Sequence, residues 1–141
     1  MSKESTATAK VAIPWWVGLI VILGAILTTM GAVIALVRPG MLVSPHDQIN
    51  GAVRIYAGYL AARNLALGFM LAGLLVLGAK RPLSNLMVLV ALIQLLDITM
   101  DVVEGRWMVI PGVFLFGVMF LIGASRLCEG TPLWKIEAWV R

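Results

Sequence analysis

The chain has 141 residues, of which 61% are hydrophobic and only 13% charged, with a mean hydropathy of +0.99. That balance excludes an ordinary soluble domain and is the composition of an all-α membrane protein. The net charge of +4 is spread over segment ends and tails, so it calls for no nucleic-acid partner and suits a basic inner face beside anionic lipid.

Residues 1–13 read as a polar N-terminal tail ahead of a transmembrane domain over residues 14–127. A span needs about 20 largely apolar residues, and four such stretches follow one another. The first covers residues 14–37, opening on Trp15 and Trp16 and closing at Arg38-Pro39-Gly40, so its ends carry an aromatic belt and a turn. Its apolar run is too long for a signal peptide and lacks a small-residue cleavage site, so it reads as a retained span. The loop that follows contains Ser44-Pro45-His46-Asp47, a helix-start pattern, and Asn50-Gly51 reads as a kink before the second span.

The second span covers residues 51–79 and the third residues 83–103, with Lys80-Arg81-Pro82 as a break that only an antiparallel hairpin can use. The fourth covers residues 107–125, after the equally short break Glu104-Gly105-Arg106. Gly58 to Ala62 and Gly68 to Ala72 are small-xxx-small patterns that allow close helix packing. Residues 128–141 begin with a cap and proline pattern at Thr131-Pro132, and Leu133, Ile136 and Val140 share a face. A short amphipathic C-terminal helix lying in the membrane interface is expected there. The fold expected is therefore a four-transmembrane-helix bundle with that helix appended.

Lysine and arginine counts set the orientation. Lys3, Lys10, Lys80, Arg81, Arg126, Lys135 and Arg141 gather on one side, against Arg38, Arg54 and Arg106 on the other. The positive-inside rule places both termini in the cytoplasm, for a multi-pass protein of the plasma (inner) membrane. Cys128 is the single cysteine, which excludes a disulfide within the chain and reads as a free interfacial thiol. His46 is the single histidine, so no haem is held by two histidines of this chain, and only a ligand role shared with another chain is open to it. No metal site and no cofactor are expected.

Polar residues inside apolar spans are rare and functional by default. The third span carries Gln94, Asp97, Asp101 and Glu104 on one face, and the second carries Arg63 and Asn64. With the turn centred near Arg81, Arg63 lies level with about residue 99, between Asp97 and Asp101. Tyr56, Tyr59 and Arg63 share a face within about 40 degrees, which offers two phenols to the same stripe. A buried cluster of Arg63 with Asp97 and Asp101 is expected. One arginine beside two aspartates leaves one acid to keep its proton, Asp97 being the deeper of the two.

The stretch Arg54 to Gly68, with Tyr59, Arg63-Asn64 and Leu65-Ala66-Leu67-Gly68, followed by the acidic third span, resembles the small DoxX-like four-helix membrane proteins over roughly residues 14–126. The resemblance implies a four-helix bundle. Some members of the wider group serve quinone-coupled or thiol redox systems as small membrane partners, but no redox motif is reproduced here and no catalytic residue carries over.

Three functions fit these residues. The first, favoured by the tight hairpins and small-residue faces, is an accessory or scaffold subunit whose partners are the lipid bilayer and a larger membrane complex or homo-oligomer. The second is a membrane enzyme of isomerase or cyclase type on a lipophilic substrate, with Asp97 or Asp101 as general acid and Arg63 orienting the partner carboxylate. The third is a proton or small-solute pathway, which would need oligomerisation.

Overall fold

The computed structural model describes residues 12–43, 48–128 and 135. All regular structure among them is helical: α1 (Trp15–Val37), one turn of 3-10 helix (Pro39–Met41), α2 (Gly51–Val76), α3 (Lys80–Val103) and α4 (Ile110–Leu127). All four α-helices are long and apolar enough to cross a membrane. The expected N-terminal tail, the loop around His46 and the C-terminal interfacial helix fall outside the described residues, apart from Ala12, Ile13, Cys128 and Lys135.

The helix ends refine the spans read from sequence. Asn50 is the N-cap of α2 and not a kink, its side chain accepting from the Val53 N–H at 3.1 Å. α2 stops at Val76 because Gly78 takes a left-handed φ of 64°. There the Ala79 N–H returns to Leu74 and the Gly78 N–H to Leu75, the two bonds of a Schellman motif. Lys80-Arg81-Pro82 therefore begins α3 instead of breaking the chain. Pro82 is tolerated in that first turn, where backbone N–H groups lack helical acceptors anyway. α4 starts three residues later than expected, with Pro111 in its first turn, because residues 107–109 continue the preceding turn.

α1 packs chiefly on α2 and α3 chiefly on α4, while the two pairs meet over a smaller area. The pairs join in one core at the end carrying Lys80 and Arg126. There Val17 and Val21 of α1, Leu71 of α2, Leu83 and Met87 of α3 and Phe120 of α4 are fully buried. The Phe120 ring lies against Gly24, where any Cβ would collide with it. Ser84, also fully buried, donates from its Oγ to the Ala124 carbonyl at 2.9 Å, and that Oγ lies 3.1 Å from Cys128 Sγ. Cys128 is a free thiol, as expected, and it is buried against Ser84.

Toward the other end a second buried cluster, Ala32, Ala35, Ala57 and Ala61, holds α1 to α2. The small-residue patterns contribute unequally. Gly68 abuts α1, its missing Cβ falling 2.8 Å from Thr29 Oγ1 and 3.3 Å from the Ala25 carbonyl, whereas Gly58 faces open space and its neighbour Ala57 makes the contact.

Candidate functional site

Where the helix pairs separate, they enclose a cleft of about 520 Å³. All four helices contribute to it: Thr28 and Gly31 from α1, Arg63 and Asn64 from α2, Gln94, Asp97 and Asp101 from α3, Gly112 and Phe116 from α4. Leu42 and Arg106 stand at its mouth, and its inner end stops against the buried core, with Leu67 and Val90 belonging to both. This volume falls in the ordinary range of small-molecule sites.

Two ion pairs line the cleft. Arg63 Nη2 donates to Asp97 Oδ2 at 3.3 Å, the level that the hairpin arithmetic gives. Asp101 takes a different partner: Arg106 Nε lies 3.5 Å from its Oδ1, and Arg106 Nη1 donates to the Leu42 carbonyl at 3.3 Å. The expected three-residue cluster is thus two separate pairs. Nor is the first pair buried, since its side chains are 40% and 46% exposed. Two guanidinium groups face two carboxylates, so the expectation that one acid must keep its proton to balance the charge loses its basis.

Arg106 is the residue that the stripe argument missed. α3 ends in a second Schellman motif: Gly105 has a φ of 69°, its N–H bonds Val102, and the Arg106 N–H bonds Asp101 at 2.8 Å. That reversal carries the Arg106 side chain back over the last turn of α3. The Glu104-Gly105-Arg106 sequence held the signal, because a glycine just past a helix end predicts the turn that returns the next residue. Glu104, expected to extend the stripe, is the exposed C-cap of α3 and does not line the cleft.

The tyrosines also lie elsewhere. Tyr56 and Tyr59 are 73% and 70% exposed and point away from the cleft. α2 is rotated so that Leu60, Asn64 and Leu67 face inward and Arg63 stands at the margin. A long, flexible arginine reaches around the helix to Asp97, whereas a rigid phenol on the same face cannot. Asn64 lies against α1, its Nδ2 3.2 Å from where a Cβ on Gly31 would stand.

Gln94 is at the inner end. Its Oε1 is buried without a hydrogen-bond partner, close to Gly117 of α4, whose missing Cβ would fall 3.5 Å away. Thr28 is already satisfied, its hydroxyl donating to the carbonyls of Gly24 at 2.9 Å and Ala25 at 3.1 Å. Among the described residues no three histidine, cysteine, aspartate or glutamate side chains gather as a metal-binding group.

The chain matches no family model, no curated protein and no solved structure, so its site stands on its own chemistry. Among the described residues, fold and site define a small helical chain with four helices apolar enough to span a membrane and a cleft toward one end of the bundle in which two arginines match two aspartates.

Proposed function

We propose that this protein is a small integral membrane protein that binds an amphipathic or lipophilic small molecule in the cleft between its helix pairs. The cleft carries this reading: about 520 Å³ of space toward one end of the bundle, with mixed apolar and polar walls and two ion pairs on its margin. The broad apolar exterior, with Leu19, Phe69, Leu96 and Ile122 exposed, suits a lipid bilayer as its surroundings. By the positive-inside rule the Lys80 end faces the cytoplasm, with both termini, and the cleft opens to the outer side of the plasma membrane. Kinship with DoxX-like proteins accords with the four-helix plan, and the proposal does not depend on it.

An accessory-subunit role, read from the tight hairpins and small-residue faces, gives the cleft no task. A solute pathway would need a second chain, because Phe120, Met87 and Leu71 fill the bundle beyond the cleft. The enzyme alternative uses the same space, and one observation favours it: Asp97 is half-exposed on the cleft wall, oriented by a single contact from Arg63. Asp97→Asn would separate the two by abolishing turnover while leaving binding.

Gly112→Leu provides the test. Gly112 lines the cleft and a Cβ added there meets no heavy atom within 4 Å, so the larger side chain fills the space without strain. Native mass spectrometry of the parent from lipid nanodiscs is expected to show a non-covalent small-molecule adduct that Gly112→Leu loses at unchanged abundance. A parent without any adduct, or an adduct indifferent to Gly112→Leu, would contradict the proposal.

A further inference from the structure

The chemistry of the cleft narrows what it takes. Among the described residues its formal charges are Arg63 and Arg106 against Asp97 and Asp101, and each is already paired. An anionic or cationic ligand would find each opposite charge already matched by a neighbour, so it would gain no net charge attraction in return for leaving water. A neutral ligand disturbs neither pair.

The inner end asks for something specific. Among the described residues no protein group bonds the Gln94 amide: its oxygen is buried beside Gly117, and the residue lines the cleft. A buried amide oxygen without a partner is costly, and most such groups in proteins are satisfied. A hydroxyl answers it in either placement, accepting from the amide nitrogen as it stands, or donating to the oxygen once the amide turns about its last torsion. A carboxylate or sulfonate offers acceptors only, and a quaternary ammonium offers neither. Around this point Leu27, Leu67, Val90, Ile93 and Phe116 form apolar walls.

We infer that the cleft selects an uncharged lipophilic alcohol, its hydroxyl at Gln94 and its apolar body along those walls. This rests on the reading of the cleft as a ligand site. Thr28 does not compete for the hydroxyl, since its own is committed to α1 carbonyls. The ion pairs at the margin, with their charges already matched, offer a charged head group no net attraction.

The test is photolabelling of the full chain in nanodiscs with a diazirine-bearing twelve-carbon alcohol, the labelled peptides then being mapped. Unlabelled competitors are 1-dodecanol, dodecane, dodecanesulfonate and dodecyltrimethylammonium, compared at equal mole fraction in the membrane. Labelling is expected at cleft residues of α2 and α4, with dodecanol competing at least tenfold better than the other three. In Gln94→Met, of similar size but without the amide, dodecanol is expected to fall to the level of dodecane. The competitor ranking is read on the parent chain, so it holds even if that variant folds poorly. Labelling of the cleft with dodecane or a charged competitor equal to dodecanol would overturn the alcohol assignment while sparing the ligand site. Absence of cleft labelling by the probe, together with no adduct on the native protein, would overturn both.

Discussion

The two ends of this bundle are built from the same four helices and solve opposite problems. At the Lys80 end, large apolar side chains and glycines interlock: Phe120 seats on Gly24, and Val17, Val21, Leu71, Leu83 and Met87 are fully buried. At the Arg106 end, α1 and α2 stay together through alanines, but α3 and α4 stand off, and the space is lined by two ion pairs and two amides. The difference teaches that the packed end supplies the rigidity and frees the other from filling its own interior. A site held by a scaffold is better positioned than one on loops.

The comparison is broken most forcefully at the packed end. Phe120→Ala empties a fully buried ring site and is expected to cost about 3 kcal/mol, whereas Phe116→Ala, on the cleft wall, should cost less than half of that. Reversible unfolding in mixed micelles measures both, and equal losses would mean that the cleft end is as tightly packed as the core.

Glycine substitutions sharpen the same contrast. Gly68→Leu drives a side chain into Thr29 and the Ala25 carbonyl and is expected to cost about 2 kcal/mol by overpacking. Gly112→Leu enters open space and should stay within about 0.5 kcal/mol of the parent. Thermal unfolding of the two side by side decides it.

The ion pairs come next. Were Arg63 and Asp97 sealed in the core, Arg63→Leu would cost about 3–5 kcal/mol by leaving a buried carboxylate alone. Because both side chains are about half-exposed, a loss of about 1 kcal/mol or less is expected, with near-parental abundance in the membrane and altered ligand binding. A collapse in abundance would give the pair a structural role instead. The smallest effect belongs to Tyr56→Phe and Tyr59→Phe, both on the exposed face of α2, where stability and binding should be unchanged.

Much of this plan is legible in the sequence, and what is not has a physical cause. The four spans appear because length and apolarity are local properties, and the Arg63–Asp97 level follows from a short hairpin, which ties depth in one helix to depth in the next. Rotation is a different matter. When a helix is apolar all round, its pattern shows which residues share a face but not where that face points, so the pattern puts Tyr56 and Tyr59 with acids that they turn away from in the fold. Arg106 escapes a reading based on stripes because it belongs to no helix, and only the glycine before it reveals that the chain doubles back. Two arginines then neutralise two aspartates, which alters the electrostatic character of the site from acidic to balanced.

The account stands on the cleft being open from the Arg106 end and closed at the packed end, and thiol accessibility tests this most directly. In a Cys128→Ala background, single cysteines would replace Asn64 and Gly112 in the cleft and Leu71 and Met87 in the core. Each would be exposed to a membrane-impermeant maleimide on either side of sealed vesicles. The account predicts that Asn64→Cys and Gly112→Cys react from one side only, and that Leu71→Cys and Met87→Cys react from neither. Protection of Asn64→Cys equal to that of Leu71→Cys, or labelling of the core positions, would contradict it.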